Sequence, residues 1–140
     1  MDQLECARVE TYLRKLFGAP KLAVGACGRD EAEITVGAET IADLVKDEED
    51  GELSYCLSML VARAPGAAKG APIDTAERAR LESVLKQRLG AGALSVRPRP
   101  RKTDSAEVYA GEEFIGTLSA DEDAGYYLTL IILDIDLEGE

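Results

Sequence analysis

The sequence predicts an α+β protein made of two tandem αββββ units. These form an internal pseudo-dimer, with one antiparallel sheet and both helices on one of its faces. Three observations lead there. The two halves of the chain align with each other, each half opens on a capped helical pattern followed by short alternating runs, and the last run of each half is apolar at both parities.

A shift of 72 lays Asp2–Val24 on Asp74–Val96 without a gap, and 10 of 23 positions are identical, among them Glu5/Glu77, Arg8/Arg80, Glu10/Glu82, Leu13/Leu85 and Gly18/Gly90. Ordinary composition would give about one or two by chance. A shift of 74 then matches Ala32–Gly51 to Ala106–Gly125, and a shift of 71 pairs Tyr55 with Tyr126. The offset changes only where loops are expected, as in a drifting duplication. The first unit is predicted over 1–63, a Gly/Pro/Ala linker over 64–72 and the second unit over 73–140.

Each unit begins with a helix. Asp2 and Asp74 each stand three residues before a Glu, the spacing of a capping box with Asp as the cap. Val9, Tyr12, Leu13, Leu16 and Phe17 then recur on one helical stripe. Leu81, Val84, Leu85, Arg88 and Leu89 repeat it with one basic interruption. Glu10/Arg14 and Glu82/Lys86 are i,i+4 pairs, read as lying on the other side of the helix. Gly18 and Gly90 end the helices. Strands are predicted near 21–27, 31–36, 39–46 and 53–62, and again near 93–98, 105–110, 112–119 and 126–135.

The fourth strands set the topology. Tyr126–Leu133 is apolar at both parities and Tyr55–Val61 nearly so, which marks strands covered on both sides. In a lone meander the fourth strand would be an exposed edge, a site for aggregation. Pairing the two fourth strands across a pseudo-twofold removes that edge and predicts the order 1-2-3-4-4-3-2-1. The first strand of the second unit, with Pro98 and Pro100, has the composition of an edge.

Composition bounds the function. Net charge is −11 from 16 basic and 27 acidic residues, which argues against general affinity for nucleic acid or anionic membranes. The first 17 residues carry charges throughout and no run is long enough to span a bilayer, so the expectation is a protein without signal peptide or membrane segment, placed in the cytoplasm. Cys6, Cys27 and Cys56 have no metal-ligand spacing and read as reduced thiols. Histidine is absent, which removes the commonest general base. No catalytic residue, metal ligand or cofactor site is predicted.

One cluster is a candidate site. Arg97, Arg99, Arg101 and Lys102 concentrate four cations in an acidic chain. An extended, proline-spaced backbone would project the three arginines from one side, where guanidinium forks could hold phosphates or carboxylates. The competing reading is an edge strand guarded by charge and proline. The acidic turns 47–50 and 121–123 fail the register of a calcium loop and read as solvated hairpin turns.

Val96-Arg97-Pro98-Arg99-Pro100, Asp104–Tyr109, Glu113-Phe114-Ile115-Gly116 and Ile132–Leu137 resemble a family of short bacterial proteins known only as a domain of unknown function. The resemblance covers residues 74–137 and implies a bacterial cytosolic setting, with the first unit as a diverged copy. It assigns no chemistry. The preferred reading is a non-enzymatic protein-binding or scaffold module, acting on a protein partner or by self-association through the sheet face. The alternative is an anion or nucleic-acid binder using residues 97–102.

Overall fold

The computed structural model describes residues 1–63, 72–121 and 125–138, so residues 64–71 of the expected linker and most of the second acidic turn lie outside the described residues. Two helices, α1 (Gln3–Phe17) and α2 (Thr75–Leu89), each precede four strands. These are β1 (Leu22–Gly25), β2 (Glu31–Val36), β3 (Glu39–Asp47) and β4 (Ser54–Val61), then β5 (Leu94–Arg99), β6 (Lys102–Ala110), β7 (Glu113–Asp121) and β8 (Gly125–Leu133). A 3-10 turn over Asp134–Leu137 follows β8.

All eight strands join one antiparallel sheet in the order β1-β2-β3-β4-β8-β7-β6-β5. The two fourth strands pair from Ser54↔Leu133 to Val61↔Tyr126, with Ser58 opposite Thr129. Those two residues are equivalent under the repeat offset, so the pseudo-twofold axis passes between them. Tyr55, Leu57, Met59 and Val61 are buried on one face of the pair with Ile132, Leu130, Leu128 and Tyr126 opposite them. Gly125 permits the close approach. Its φ is +129°, and a Cβ there would stand 2.4 Å from the Val61 carbonyl oxygen.

Each helix is set by its cap. The Asp2 and Asp74 carboxylates accept from the backbone N–H of Glu5 and Glu77, and Gly18 and Gly90 close the helices in left-handed conformation, near φ +65° and +69°. The buried stripes are Cys6, Val9, Leu13 and Phe17 on α1, and Leu81, Leu85 and Leu89 on α2. Arg88, which interrupts the second stripe, donates to the Leu60 carbonyl of the first unit.

The repeat-conserved Arg8 and Arg80 also tie the units together. Arg8 donates to the Leu137 carbonyl of the second unit, and Arg80 to the Ala62 carbonyl of the first. Ala19 lies beside Gly90, 4.0 Å from where a Cβ on that glycine would stand. Leu22 N–H closes a turn onto the Ala19 carbonyl, and four chain steps from Gly90 to Leu94 reach at most about 14 Å. A flat eight-stranded sheet would hold β1 and β5 about 33 Å apart. The sheet is therefore curled, with the helices on its concave face and no described residues packed over its convex face.

The expectations for the basic run and for the cysteines need correction. Arg101 does not continue the β5 row. Arg99 pairs with Lys102 across a two-residue turn of Pro100 and Arg101, with Arg101 at φ +64°, so β6 begins at Lys102 and not near 105. Proline at the first turn position and a positive φ at the second fit a type II turn, a stronger local signal than the extended reading. Cys6 and Cys27 are not both reduced thiols but form a disulfide, leaving Cys56 free. Folding brings the first turn of α1 against the loop after β1, a juxtaposition that 21 residues of separation conceal.

Candidate functional site: the uncovered sheet face

Strand alternation sends every second side chain to the convex face. Cross-strand register arranges them in rows. Through the pseudo-axis runs a polar row, Asp43–Ser58–Thr129–Thr117–Glu107–Arg97. On one side of it lies Val45–Cys56–Ile131, followed by Asp47–Ser54–Leu133; on the other lies Leu60–Tyr127–Ser119–Ser105. Ile131 is 53% exposed, Val45 and Leu133 are each 48%, and Leu60 and Tyr127 are each 42%. These strands are apolar on both faces, but the described residues cover only the concave one, so the cover on both sides that their composition led us to expect is not found there.

The sheet edges are closed to further strands. Glu10 accepts from the outward N–H of Val24 on β1, and Arg14 donates to the Leu22 carbonyl. Glu82 likewise accepts from Val96 N–H on β5. The i,i+4 pairs Glu10–Arg14 and Glu82–Lys86, each 3.6 Å apart, are therefore not solvent decoration on the far side of the helix. Their glutamates occupy backbone groups that an incoming strand would need.

At the foot of α1, Glu5 sits under the sheet between Lys46 (2.8 Å) and the Tyr55 hydroxyl, which donates to it at 2.7 Å. Burial raises the Glu5 pKa, but hydrogen bonds from Lys46, Tyr55 and the Asp2 N–H outweigh it and bring the group down to about 2. The hydrogen bonds to Glu5 and Glu48 raise Lys46, while burial and then Glu5 raise Tyr55. The second unit repeats the arrangement, with the Tyr126 hydroxyl donating to Glu77 at 2.8 Å and Arg80 held by the same carboxylate at 2.5 Å. Burial and then Glu77 push Tyr126 up to about 12. Both clusters are helix-to-sheet struts beneath the face, and neither opens onto it.

The basic run divides. The Arg97 guanidinium stacks 4.0 Å above the Tyr109 ring and donates to Ser95 and to the Gly111 carbonyl. Tyr109 packs edge-on against Phe114 and donates to Glu107, whose hydrogen bond is the main cause of its raised pKa. Arg99 donates to Ser105 at 3.4 Å. Arg101 and Lys102 are exposed at the hairpin turn. The four cations do not form one row, and two of them are engaged within the sheet.

Beyond Leu133 the apolar patch continues into a cleft of about 600 Å3, lined by Leu53, Ser54, Leu133 and Ile135 together with Asp47, Glu49, Glu52 and Asp134. Ile135 is 67% exposed. Sequence reading anticipated leftover apolar residues on the fourth strands but missed this cleft. It depends on the 3-10 turn after β8, where a continuing strand was expected.

These features define a tandem-repeat α+β protein with sealed sheet edges, one face left uncovered by the described residues and no described helix long and apolar enough to cross a membrane. A family model described as a protein of unknown function (DUF3126) matches residues 5–64 and again residues 77–136. The chain belongs to this family and carries its domain twice. No curated protein and no solved structure matches it.

Proposed function

We propose that this protein is a non-enzymatic binding module that docks a protein partner on the convex face of its sheet. The observation that carries the reading is the exposure of Leu60, Tyr127, Ile131 and Leu133 on central strands whose other face is the core. Apolar side chains left in contact with water on both sides of the polar Ser58–Thr129 row favour association. The sealed edges of β1 and β5 argue against strand addition, and the exposed apolar side chains favour the face as the contact surface. A cytoplasmic setting belongs to the same proposal, with the Cys6–Cys27 disulfide as a feature that a reducing compartment does not favour.

The second reading, an anion or nucleic-acid binder using Arg97, Arg99, Arg101 and Lys102, draws support from the exposed turn that carries Arg101 and Lys102. Replacement separates the two. A partner isolated with the native protein should be lost from a Leu60→Lys, Ile131→Lys variant and retained by a variant with residues 97, 99, 101 and 102 changed to Ser. The opposite pattern, with binding falling steeply as salt rises, would assign the site to the basic run.

A further inference from the structure

We infer that the partner presents a cationic segment with apolar anchors, and that it seats at the Ser54/Leu133 end of the sheet face. This rests on the face being the docking surface and names the chemistry of what docks there. The apolar row Val45–Cys56–Ile131 leads through Leu133 to Ile135 without a break. Its surroundings are acidic. Glu31 pairs beside Val45, and Asp47, Glu49, Glu52 and Asp134 line the cleft at its end. The cation nearest in sequence, Lys46, points to the other face, where Glu5 and Glu48 hold it at 2.8 and 3.2 Å. Arg97 and Arg99 belong to the opposite edge of the sheet.

Charge complementarity selects the occupant. A segment that buries leucine-like side chains on Ile131, Leu133 and Ile135 must carry its own polar groups past five carboxylates. Acidic groups there would meet like charge, and basic ones would be attracted. The whole chain, at −11, draws a basic partner from a distance and repels a second copy of itself. A separate cationic protein segment therefore fits better than self-association, although the Arg99–Lys102 turn of another molecule offers the same chemistry.

The test uses the full chain and three labelled peptides: one of alternating lysine and leucine, one with glutamate for each lysine, and one with serine for each leucine. Fluorescence anisotropy should give binding to the first alone. Leu133→Ser with Ile135→Ser, and separately Glu49→Lys with Glu52→Lys, should each weaken it by about tenfold or more. Glu112→Lys with Glu113→Lys makes the same charge change at the β6–β7 turn and should weaken it less than about threefold. Thermal melts of all variants confirm that they are folded. Equal weakening by the control pair would reduce the effect to diffuse attraction. Binding of the serine peptide would remove the apolar anchors, and binding of the glutamate peptide would remove the acidic rim; each overturns the inference. Concentration-dependent oligomers of the native protein, lost on changing Arg99, Arg101 and Lys102 to Ser, would name a second copy as occupant and overturn a separate partner. If no peptide binds but a partner depends on Leu60 and Ile131, the basic-segment inference fails and the docking face stands.

Discussion

Changing Glu5 to Gln isolates the charge of the strut beneath the sheet. Its carboxylate is depressed from an ordinary value of 4.5 to about 2 because the Lys46 and Tyr55 hydrogen bonds overcome its burial. At about 1.4 kcal/mol per pKa unit, that difference corresponds to at most about 3 kcal/mol of stability at neutral pH, and solvent screening at this partly exposed site leaves about 1–2 kcal/mol of it. The sign follows from the depressed folded value: the stabilisation is complete above 4.5 and is lost as pH falls toward 2. By pH 3 more than half of it should already be gone. Glutamine keeps the size of the side chain and an acceptor for the Asp2 N–H, so the variant removes mainly the charge. Urea unfolding of native and Glu5→Gln protein should differ by about 1–2 kcal/mol at pH 7, with the gap narrowing to about 0.5 kcal/mol at pH 3. An equal gap at both pH values would assign the loss to packing, and no gap at pH 7 would refute the strut altogether.

Gly125→Ala should cost at least about 2 kcal/mol, because its Cβ would meet the Val61 carbonyl at 2.4 Å where the two units join; a melting temperature unchanged by the substitution would contradict that junction. Glu10→Ala with Glu82→Ala frees the Val24 and Val96 N–H groups, and size-exclusion chromatography should reveal edge-paired oligomers that the native protein lacks. Residues 1–63 and 72–140 expressed separately should be poorly folded, aggregate or self-pair, since units of roughly 65 residues have marginal cores and each would expose β4 or β8. Cooperative, monomeric unfolding of both fragments would show the units to be independent.

Strand order was legible because one physical conflict had one solution. Tyr126–Leu133 and Tyr55–Val61 are too apolar to be edges, and only pairing with each other hides their backbones. The helix limits were legible from Asp2, Asp74, Gly18 and Gly90, whose cap roles are local. What escaped were consequences of distance and curvature. Cys6 and Cys27 meet only after α1 packs over the loop following β1. Glu10 and Glu82 reach edge-strand amides only because each helix lies along its own first strand. The basic run looked like one extended row because its prolines favour extension, but Pro100 with Arg101 instead makes a turn and sends Lys102 into the next strand. The acid-rimmed cleft required knowing that the chain turns at Asp134.

The most direct test of the docking face places a photo-crosslinking amino acid at Leu60 or Ile131 on the convex side, and at Thr11 or Ser83 on the helices. In cells that make the protein, the two sheet positions should each yield the same crosslinked protein, and the helix positions should not. Crosslinks from Thr11 or Ser83 with none from Leu60 or Ile131 would put the partner on the other side of the molecule and contradict the account.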